Sequence, residues 1–252
     1  MSGVLVKYVV MAAVRDRLVL SLLLLLVLGS SLSLFLGSSA VIEKSQFAAV
    51  FTAGGLRIAS VLGLILFVVF FVRRSFESKD VEFLLSRPVG RLQLLISYSV
   101  AFAFLGAVMG LAELLCVYSV APQMFGQGHI LWGVSIIAEN IIMVITALFF
   151  SMYLSSAATS AMAVMGFYVL ARMMGQLLGI SDSNMVDDYG PVAMILQLVS
   201  VITPRLDLLG QTSWLVYGVS GDYGVGYAVL QGTVFCALVF MGALFDFIRR
   251  QF

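Results

Sequence analysis

The chain has 252 residues, of which 62% are hydrophobic and 11% are charged, and its formal net charge is +1. With a mean hydropathy of +1.10 it is too apolar for a soluble domain whose surface faces water. Its basic residues are confined to short segments and form no continuous face, so we expect no nucleic-acid partner. Because alternating apolar and polar strands are absent from the sequence, the composition predicts an all-α integral membrane protein.

The first segment, 1–17, carries three cations among valines: Lys7, Arg15 and Arg17. This pattern predicts a short helix along the membrane interface, with its cations toward lipid headgroups. The small residues Ser38, Ser39 and Ala40 would suit a signal peptidase. However, the apolar run before them is longer than the core of a typical cleaved signal, so we expect a retained membrane helix.

Six apolar runs are long enough to cross a membrane. A hydrocarbon core about 30 Å thick requires about 20 helical residues. The runs predict spans at about 18–36, 53–72, 92–120, 130–154, 161–180 and 224–248. The first two are separated by a polar link at 37–51. A further apolar run at 191–204, inside the predicted outer segment 181–223, is too short for a crossing and predicts a re-entrant or interfacial helix.

The distribution of cations determines the predicted orientation. With the N-terminus inside, ten of the fourteen cations are cytoplasmic, whereas Lys44, Arg57 and Arg205 lie on or near the outer side. The asymmetry predicts a multi-pass protein of the plasma (inner) membrane with both termini in the cytoplasm. The segment 73–91 is then the only substantial cytoplasmic loop.

This segment is also the most densely charged part of the chain. From 75 to 86 its polar positions recur at helical spacing, while Phe76 and Phe83 share the other side, which predicts a short amphipathic helix. Pro88 lacks an amide proton and pushes Arg87 toward an extended conformation, so the helix should end before it.

A family resemblance rests on these residues. Glu77, followed by Glu-Phe-Leu-Leu-Ser-Arg-Pro-Val-Gly-Arg at 82–91, resembles the signature loop of ABC-2 type permeases, the membrane subunits of one large class of ATP-binding-cassette transporters. The six spans, the interfacial N-terminal helix and the re-entrant segment are similar to that family in layout, over the whole chain. The motif itself covers only this loop, and Lys79 and Asp80 stand where the family often has Gly-Thr.

The resemblance implies that 73–91 contains a coupling helix, which docks in a groove of a separate ATPase subunit and transmits its closure to the membrane. The residues assigned to this contact are Arg73, Arg74, Glu77, Asp80, Glu82, Arg87, Pro88 and Arg91. The alternative is an ordinary cytoplasmic loop that follows the positive-inside rule and whose charges only fix the topology of the chain in the membrane.

The expected partners follow from what the sequence lacks. It contains no Gly-x-x-x-x-Gly-Lys-Ser/Thr, so ATP and magnesium are expected in the ATPase subunits and no cofactor in this chain. One set of six spans gives a small pathway. We therefore expect a second permease copy, identical or a sister, to pair with this one in the lipid bilayer.

Three ionisable residues fall inside predicted spans: Glu113, Glu139 and Arg172. Such side chains are costly in a membrane unless they are paired or face a cavity. They belong either to a translocation pathway or headgroup contact, or to an internal pair of Arg172 with Glu139 or Glu113 that holds helices in register. Gly106 and Gly110 form a Gly-x-x-x-Gly pattern, which we interpret as helix packing.

The resemblance implies the permease subunit of an ABC-2 type exporter, which we expect to be a single transmembrane domain over 1–252 that is not itself an enzyme and has no catalytic or metal-binding residues. Two alternatives remain. A membrane enzyme should show a His/Glu, Asp/Asp or Ser/Lys constellation at helical spacing, and none appears. A secondary transporter without an ATPase could use the three intramembrane residues as an ion relay, but should show internal repeats, and none is found.

Overall fold

The computed structural model describes residues 3–15, 17–39, 43–81, 90–181, 190–219 and 225–249. Its α-helices are α1 (Gly3–Arg15), α2 (Arg17–Ser39), α3 (Lys44–Glu77), α4 (Arg91–Val120), α5 (Gln127–Tyr153), α6 (Ala157–Ser181), α7 (Gly190–Ile202), α8 (Ser213–Tyr217) and α9 (Val225–Arg249). Short 3-10 turns occupy Pro122–Met124 and Leu206–Leu208. Because the described residues contain no β-strand, the predicted all-α class is confirmed.

Six of these helices, α2, α3, α4, α5, α6 and α9, are long and apolar enough to cross a membrane. The predicted number of spans is therefore confirmed, and the chain is a multi-pass membrane protein in its helix lengths and composition. Five of the six predicted spans begin and end within about one turn of the observed helices.

The second span is the exception, because the predicted link at 37–51 is largely helical. α3 begins at Lys44 and has 34 residues, which at a rise of 1.5 Å makes it about 51 Å long. Its first turns bury Ala48 and Ala49, and Gly37 near the end of α2 packs directly against Ala48. The polar residues of this stretch suggested a loop, but the alanines between them form the contact that keeps it helical.

The core of the bundle lies along α3 and α5. In their most apolar windows, 61% of α3 and 67% of α5 is buried, against 22% for α2 and α9 and 28% for α6. α5 contacts α3, α4, α6 and α9, whereas α2 packs mainly on α3. Most of the buried polar side chains in the described part of the chain therefore lie on α3 and α5.

The Gly-x-x-x-Gly pattern lies where α4 meets α5. A Cβ atom at Gly110 would stand 3.1 Å from the backbone nitrogen of Ile137, and one at Gly106 would stand 3.3 Å from the carbonyl carbon of Asn140. The backbones approach this closely because both positions lack a side chain. The interpretation of these glycines as packing residues is confirmed.

The two ends of the bundle differ in chemistry. At one end, which we call the arginine-rich end, α3 finishes, α4 begins, α9 finishes, and α1 packs on α4 through Leu5, Val9 and Ala13. At the other, the tryptophan end, Trp214 of α8 packs with Trp132 near the start of α5. The regions next to the two termini therefore lie at the same end as the segment between α3 and α4.

Candidate functional site

The arginines that flank the predicted coupling segment both bind helix ends inside the chain. Arg73 donates hydrogen bonds to the carbonyl of Leu154, at 3.2 Å, and to that of Ser155. Arg91 donates to the carbonyl of Phe247 at 3.0 Å. These acceptors are the unpaired carbonyls at the C-terminal ends of α5 and α9, where a cation is also favoured by the helix dipole. Both guanidinium groups therefore cap other spans.

Between these arginines, the chain leaves α3 through a turn. α3 ends at Glu77, and Lys79 has a φ of 60°. The hydroxyl of Ser78 donates to the carboxylate of Asp80 at 2.8 Å, a local contact that competes with helical hydrogen bonding. The prediction of one continuous helix from residue 75 is therefore wrong, because residues 75–77 belong to α3 and a turn separates them from Asp80.

The side chain of Arg74 faces a cavity of about 440 Å³ between α1 and the end of α3. Tyr8, Arg15 and Arg17 line the same cavity, and Asp80 supplies its carboxylate. The first helix and the segment after α3 therefore form one polar surface at the arginine-rich end.

The remaining residues assigned to an ATPase contact are Glu77, Glu82, Arg87 and Pro88. Glu77 is exposed at the last position of α3. Glu82, Arg87 and Pro88 lie outside the described residues. Within the described part of the segment, the carboxylates are those of Glu77 and Asp80.

The second group of polar side chains lies inside the bundle and centres on an ion pair between α3 and α5. The Nε of Arg57 donates to Glu139 at 3.0 Å, and its Nη2 donates to the other oxygen of the same carboxylate. Only 3% of Arg57 and 0% of Glu139 is exposed. The predicted internal pair was Arg172 with Glu139 or Glu113. In the structure Glu139 instead binds Arg57, whose planar guanidinium group matches the carboxylate in a bidentate contact.

Arg57 also binds the backbone between α7 and α8. Its Nη1 donates to the carbonyl of Gly210 at 2.7 Å, and its Nη2 to that of Leu209 at 3.0 Å. Gly210 has a φ of +54°, and a Cβ there would lie 3.1 Å from the guanidinium carbon of Arg57. Both the left-handed backbone and the close approach require glycine at this position.

Glu113 of α4 joins the same network from a third helix. Its Oε1 accepts hydrogen bonds from the hydroxyl of Ser60 at 2.7 Å and from the side-chain amide of Asn140 at 3.1 Å. The same amide of Asn140 also contacts the carbonyl of Gly106 at 3.3 Å. The Oε2 of Glu113 is buried and has no hydrogen-bond partner among the described residues. The network therefore joins α3, α4 and α5 through side chains removed from water.

Arg172 of α6 binds backbone carbonyls. Its Nη1 donates to the carbonyl of Leu209 at 2.8 Å and to that of Leu206. Within the described parts of the chain it forms no ion pair with a carboxylate. Two arginines from different helices, Arg57 and Arg172, thus converge on the carbonyls of one short segment.

Gln231 of α9 binds the end of α7. Its side-chain nitrogen lies 2.7 Å from the carbonyl of Ser200 and 3.0 Å from that of Thr203, and its oxygen accepts the amide of Arg205 at 3.1 Å. Arg205 in turn forms an ion pair with Asp207 at 2.7 Å, which raises the pKa of Arg205. The C-terminal carbonyls of α7 are thereby satisfied by a neighbouring span.

The contacts of Arg57 and Gln231 were not predicted from the sequence. Arg57 was counted among the outer cations, although it falls inside the predicted span 53–72, where an ionisable group is itself a signal. Nothing in the local sequence singles out Gln231, because its partners lie 26 to 31 residues earlier in the chain.

No known family model matches this chain. No curated protein matches it. The function must therefore be argued from the residues and contacts described above.

Proposed function

We propose that the chain is the membrane subunit of an ABC-2 type exporter, energised by separate ATPase subunits that dock at the arginine-rich end. The proposal depends on the way the segment between α3 and α4 is anchored. Arg73 joins its beginning to the end of α5, and Arg91 joins its end to the end of α9. Since the segment also continues into α3 and α4, a displacement of it moves four spanning helices, which is what a coupling element requires.

The chemistry of the segment suits a basic groove on the partner. Glu77 is exposed, and a turn with Lys79 at a φ of 60° follows it. Asp80 is oriented by Ser78 at 2.8 Å. Together with Glu82 of the resembling motif, these carboxylates form the expected docking surface, and the arginines beside them serve to hold the membrane helices.

The remaining parts of the layout fit this proposal. The cations concentrated at the arginine-rich end agree with the positive-inside rule, so this end, with both termini, faces the cytoplasm of a plasma (inner) membrane. α1, with Leu5, Val9 and Ala13 buried against α4, lies along that interface. Two such subunits, identical or sister, pair around a central route.

The connection between α7 and α8 reaches into the bundle and then returns toward the start of α5. Leu206 is bound by Arg172, which lies about 13 Å along α6 from its C-terminal end at 1.5 Å per residue. α8 then packs on the first turns of α5, where the carbonyl of Trp214 fills the space beside Gly128. These contacts support a re-entrant hairpin on the outer side.

The test is co-purification with candidate ATPases. Reversing two charges, Glu77→Lys with Glu82→Lys, should abolish the complex and ATP-dependent transport while the permease remains folded. The matched control is Glu43→Lys, which reverses an exposed carboxylate at the opposite end of the same helix, just before α3 begins. The proposal fails if the doubly reversed variant still binds the ATPase, or if wild-type transport proceeds without any ATPase.

A second candidate function is secondary transport, and one observation favours it. Glu113 is fully buried, and its Oε2 has no partner among the described residues. A carboxylate in such surroundings could take up and release a proton. In vesicles that contain the chain without an ATPase, this mechanism predicts substrate uptake that is driven by an imposed pH gradient. The Glu113→Gln variant should lose this uptake. An ATP-driven exporter shows no such uptake.

A further inference from the structure

A cavity of about 360 Å³ lies between α3 and α6, beside the hydrogen-bond network described above. Its walls include Gly54, Ile58, Val169 and Met173, which are apolar. Its volume falls in the range of small-molecule binding sites. The cavity therefore has the size and lining expected for an apolar ligand or a hydrocarbon chain.

The charged side chains that line this cavity are both cationic, and Tyr168 and Thr212 are its neutral polar residues. Arg57 and Arg172 line it, and neither Glu113 nor Glu139 is among its lining residues. One positive charge is compensated by the ion pair of Arg57 with Glu139. The described partners of Arg172 are neutral carbonyls. An anion placed in this cavity meets two guanidinium groups in surroundings of low dielectric, where their attraction is much stronger than in water.

The rim of the cavity is apolar and open. Ile58 of α3 and Val169 of α6 are each 53% exposed, although both lie inside spanning helices. The apolar part of a ligand bound here lies along these two helices, in contact with their lipid-facing surface. A small hydrated anion that entered the cavity would lose its water of hydration, and it would leave the apolar walls uncovered.

We propose that this cavity binds an anionic amphiphile, with a carboxylate or phosphate head at Arg172 and Arg57 and a hydrocarbon chain leaving between α3 and α6. The guanidinium of Arg172, whose described partners are neutral carbonyls, selects the anionic head beside Arg57, and the apolar rim selects the chain. The site does not involve the ATPase contact at the arginine-rich end. Binding is measured without nucleotide or partner, so its failure is distinct from failure of the proposed function.

The experiment uses the full chain in neutral detergent with dodecyl phosphate that carries a photoreactive group at the end of its chain. We expect cross-links in α3 and α6 near Ile58 and Val169. Unlabelled dodecyl phosphate and dodecanoate should compete, whereas dodecanol and inorganic phosphate should not. Equal competition by dodecanol would overturn the role of the arginines, and equal competition by inorganic phosphate would overturn the role of the hydrocarbon chain.

Two adjacent glycines provide a matched pair of variants that leave both arginines in place. A Cβ at Gly54 or at Gly55 meets nothing within 4 Å, but only Gly54 lines the cavity. Gly54→Leu should fill the cavity and reduce labelling roughly tenfold, because the new side chain occupies the space that the ligand needs. Gly55→Leu should label like wild type. Equal labelling of the two variants would overturn the proposed site.

The head group is tested separately. Arg172→Gln should weaken labelling by dodecyl phosphate roughly tenfold, because it removes one of the two cations. Arg172→Lys, which retains the charge, should recover part of the labelling. The control Lys44→Gln removes a cation from the exposed start of α3 and should change nothing. If Arg172→Gln labels as strongly as wild type, the assignment of the head group is wrong.

Discussion

Arg57 has its guanidinium group occupied on both sides, by the carboxylate of Glu139 and by the carbonyls of Leu209 and Gly210. An arginine at this depth is tolerated only because its donors are satisfied by groups that are themselves buried. The same contacts fix the segment between α7 and α8 against α3. One side chain therefore determines both a helix pair and the position of a connecting segment.

Removing the negative partner should be strongly destabilising. Glu139→Gln leaves Arg57 buried with an uncompensated charge, and we expect a loss of about 3–5 kcal/mol in the free energy of unfolding. Unfolding by denaturant in mixed micelles measures it. The exposed Glu43→Gln serves as control and should change stability by no more than about 0.5 kcal/mol.

A double-mutant cycle separates the ion pair from the other contacts of Arg57. Arg57→Met alone also loses the hydrogen bonds to Leu209 and Gly210, so its effect should be at least as large as that of Glu139→Gln. The double variant should be more stable than the sum of the single effects predicts, since it leaves no unpaired charge. Strict additivity would show that the two side chains do not interact.

At the scale of elements, α7 depends on a neighbouring span for its C-terminal end. The amide of Gln231 lies within 3.1 Å of the carbonyls of Ser200, Val201 and Thr203. A helix of 13 residues is too short to be stable by itself. Its end is therefore held by a side chain of α9.

Gln231→Leu preserves the size of the side chain but removes its amide. We expect a loss of about 1 kcal/mol, because partly buried carbonyls lose their donor. Amide hydrogen exchange should accelerate at Thr203, Arg205 and Leu206, since the amide of Arg205 donates to Gln231. The matched control, Thr233→Val in the same helix, removes only a hydroxyl bonded to its own helix at Val229. Unchanged exchange at 203–206 would mean that Gln231 does not hold this end.

The contact between α4 and α5 depends on Gly110. Valine at this position would collide with Ile137, whose backbone nitrogen lies 3.1 Å from the site of the new Cβ. Overpacking of this kind costs about 1–3 kcal/mol. Thermal unfolding should show the loss, whereas Gly166→Val in α6, where the new Cβ meets nothing within 4 Å, should be close to neutral. Similar losses at both positions would contradict close packing at Gly110.

What the sequence predicts about the elements follows from what hydropathy measures. Long apolar runs mark helices that cross lipid, so α2, α4, α5, α6 and α9 were predicted to within about a turn. The start of α3 was missed because Lys44 and Gln46 share its first turn with buried alanines. The turn at Ser78 was missed because the helical periodicity of the sequence continues through it, whereas in the structure Lys79 has a φ of 60° and Ser78 bonds to Asp80.

At the scale of the whole molecule, the buried network could be anticipated only in part. Glu113 and Glu139 were identified because carboxylates in apolar runs are rare. Their partners come from other helices: Ser60 for Glu113, Arg57 for Glu139. Pairing across 53 to 82 residues depends on how the helices rotate against each other, which a single sequence does not encode locally. The same holds for Arg73 and Arg91, whose capping role appears only when four helix ends meet.

The orientation of the whole molecule is tested by two positions on one helix. Glu43 and Glu77 are exposed at opposite ends of α3, about 51 Å apart at 1.5 Å per residue over its 34 residues. In a chain without Cys116 and Cys236, a cysteine at 43 should react with a membrane-impermeant maleimide on intact cells. A cysteine at 77 should react only after the membrane is opened. The reverse pattern would place the arginine-rich end outside the cell, where no ATPase could reach the segment between α3 and α4. Labelling of both positions on intact cells would mean that α3 does not cross the membrane, and the bundle would then need another arrangement in lipid.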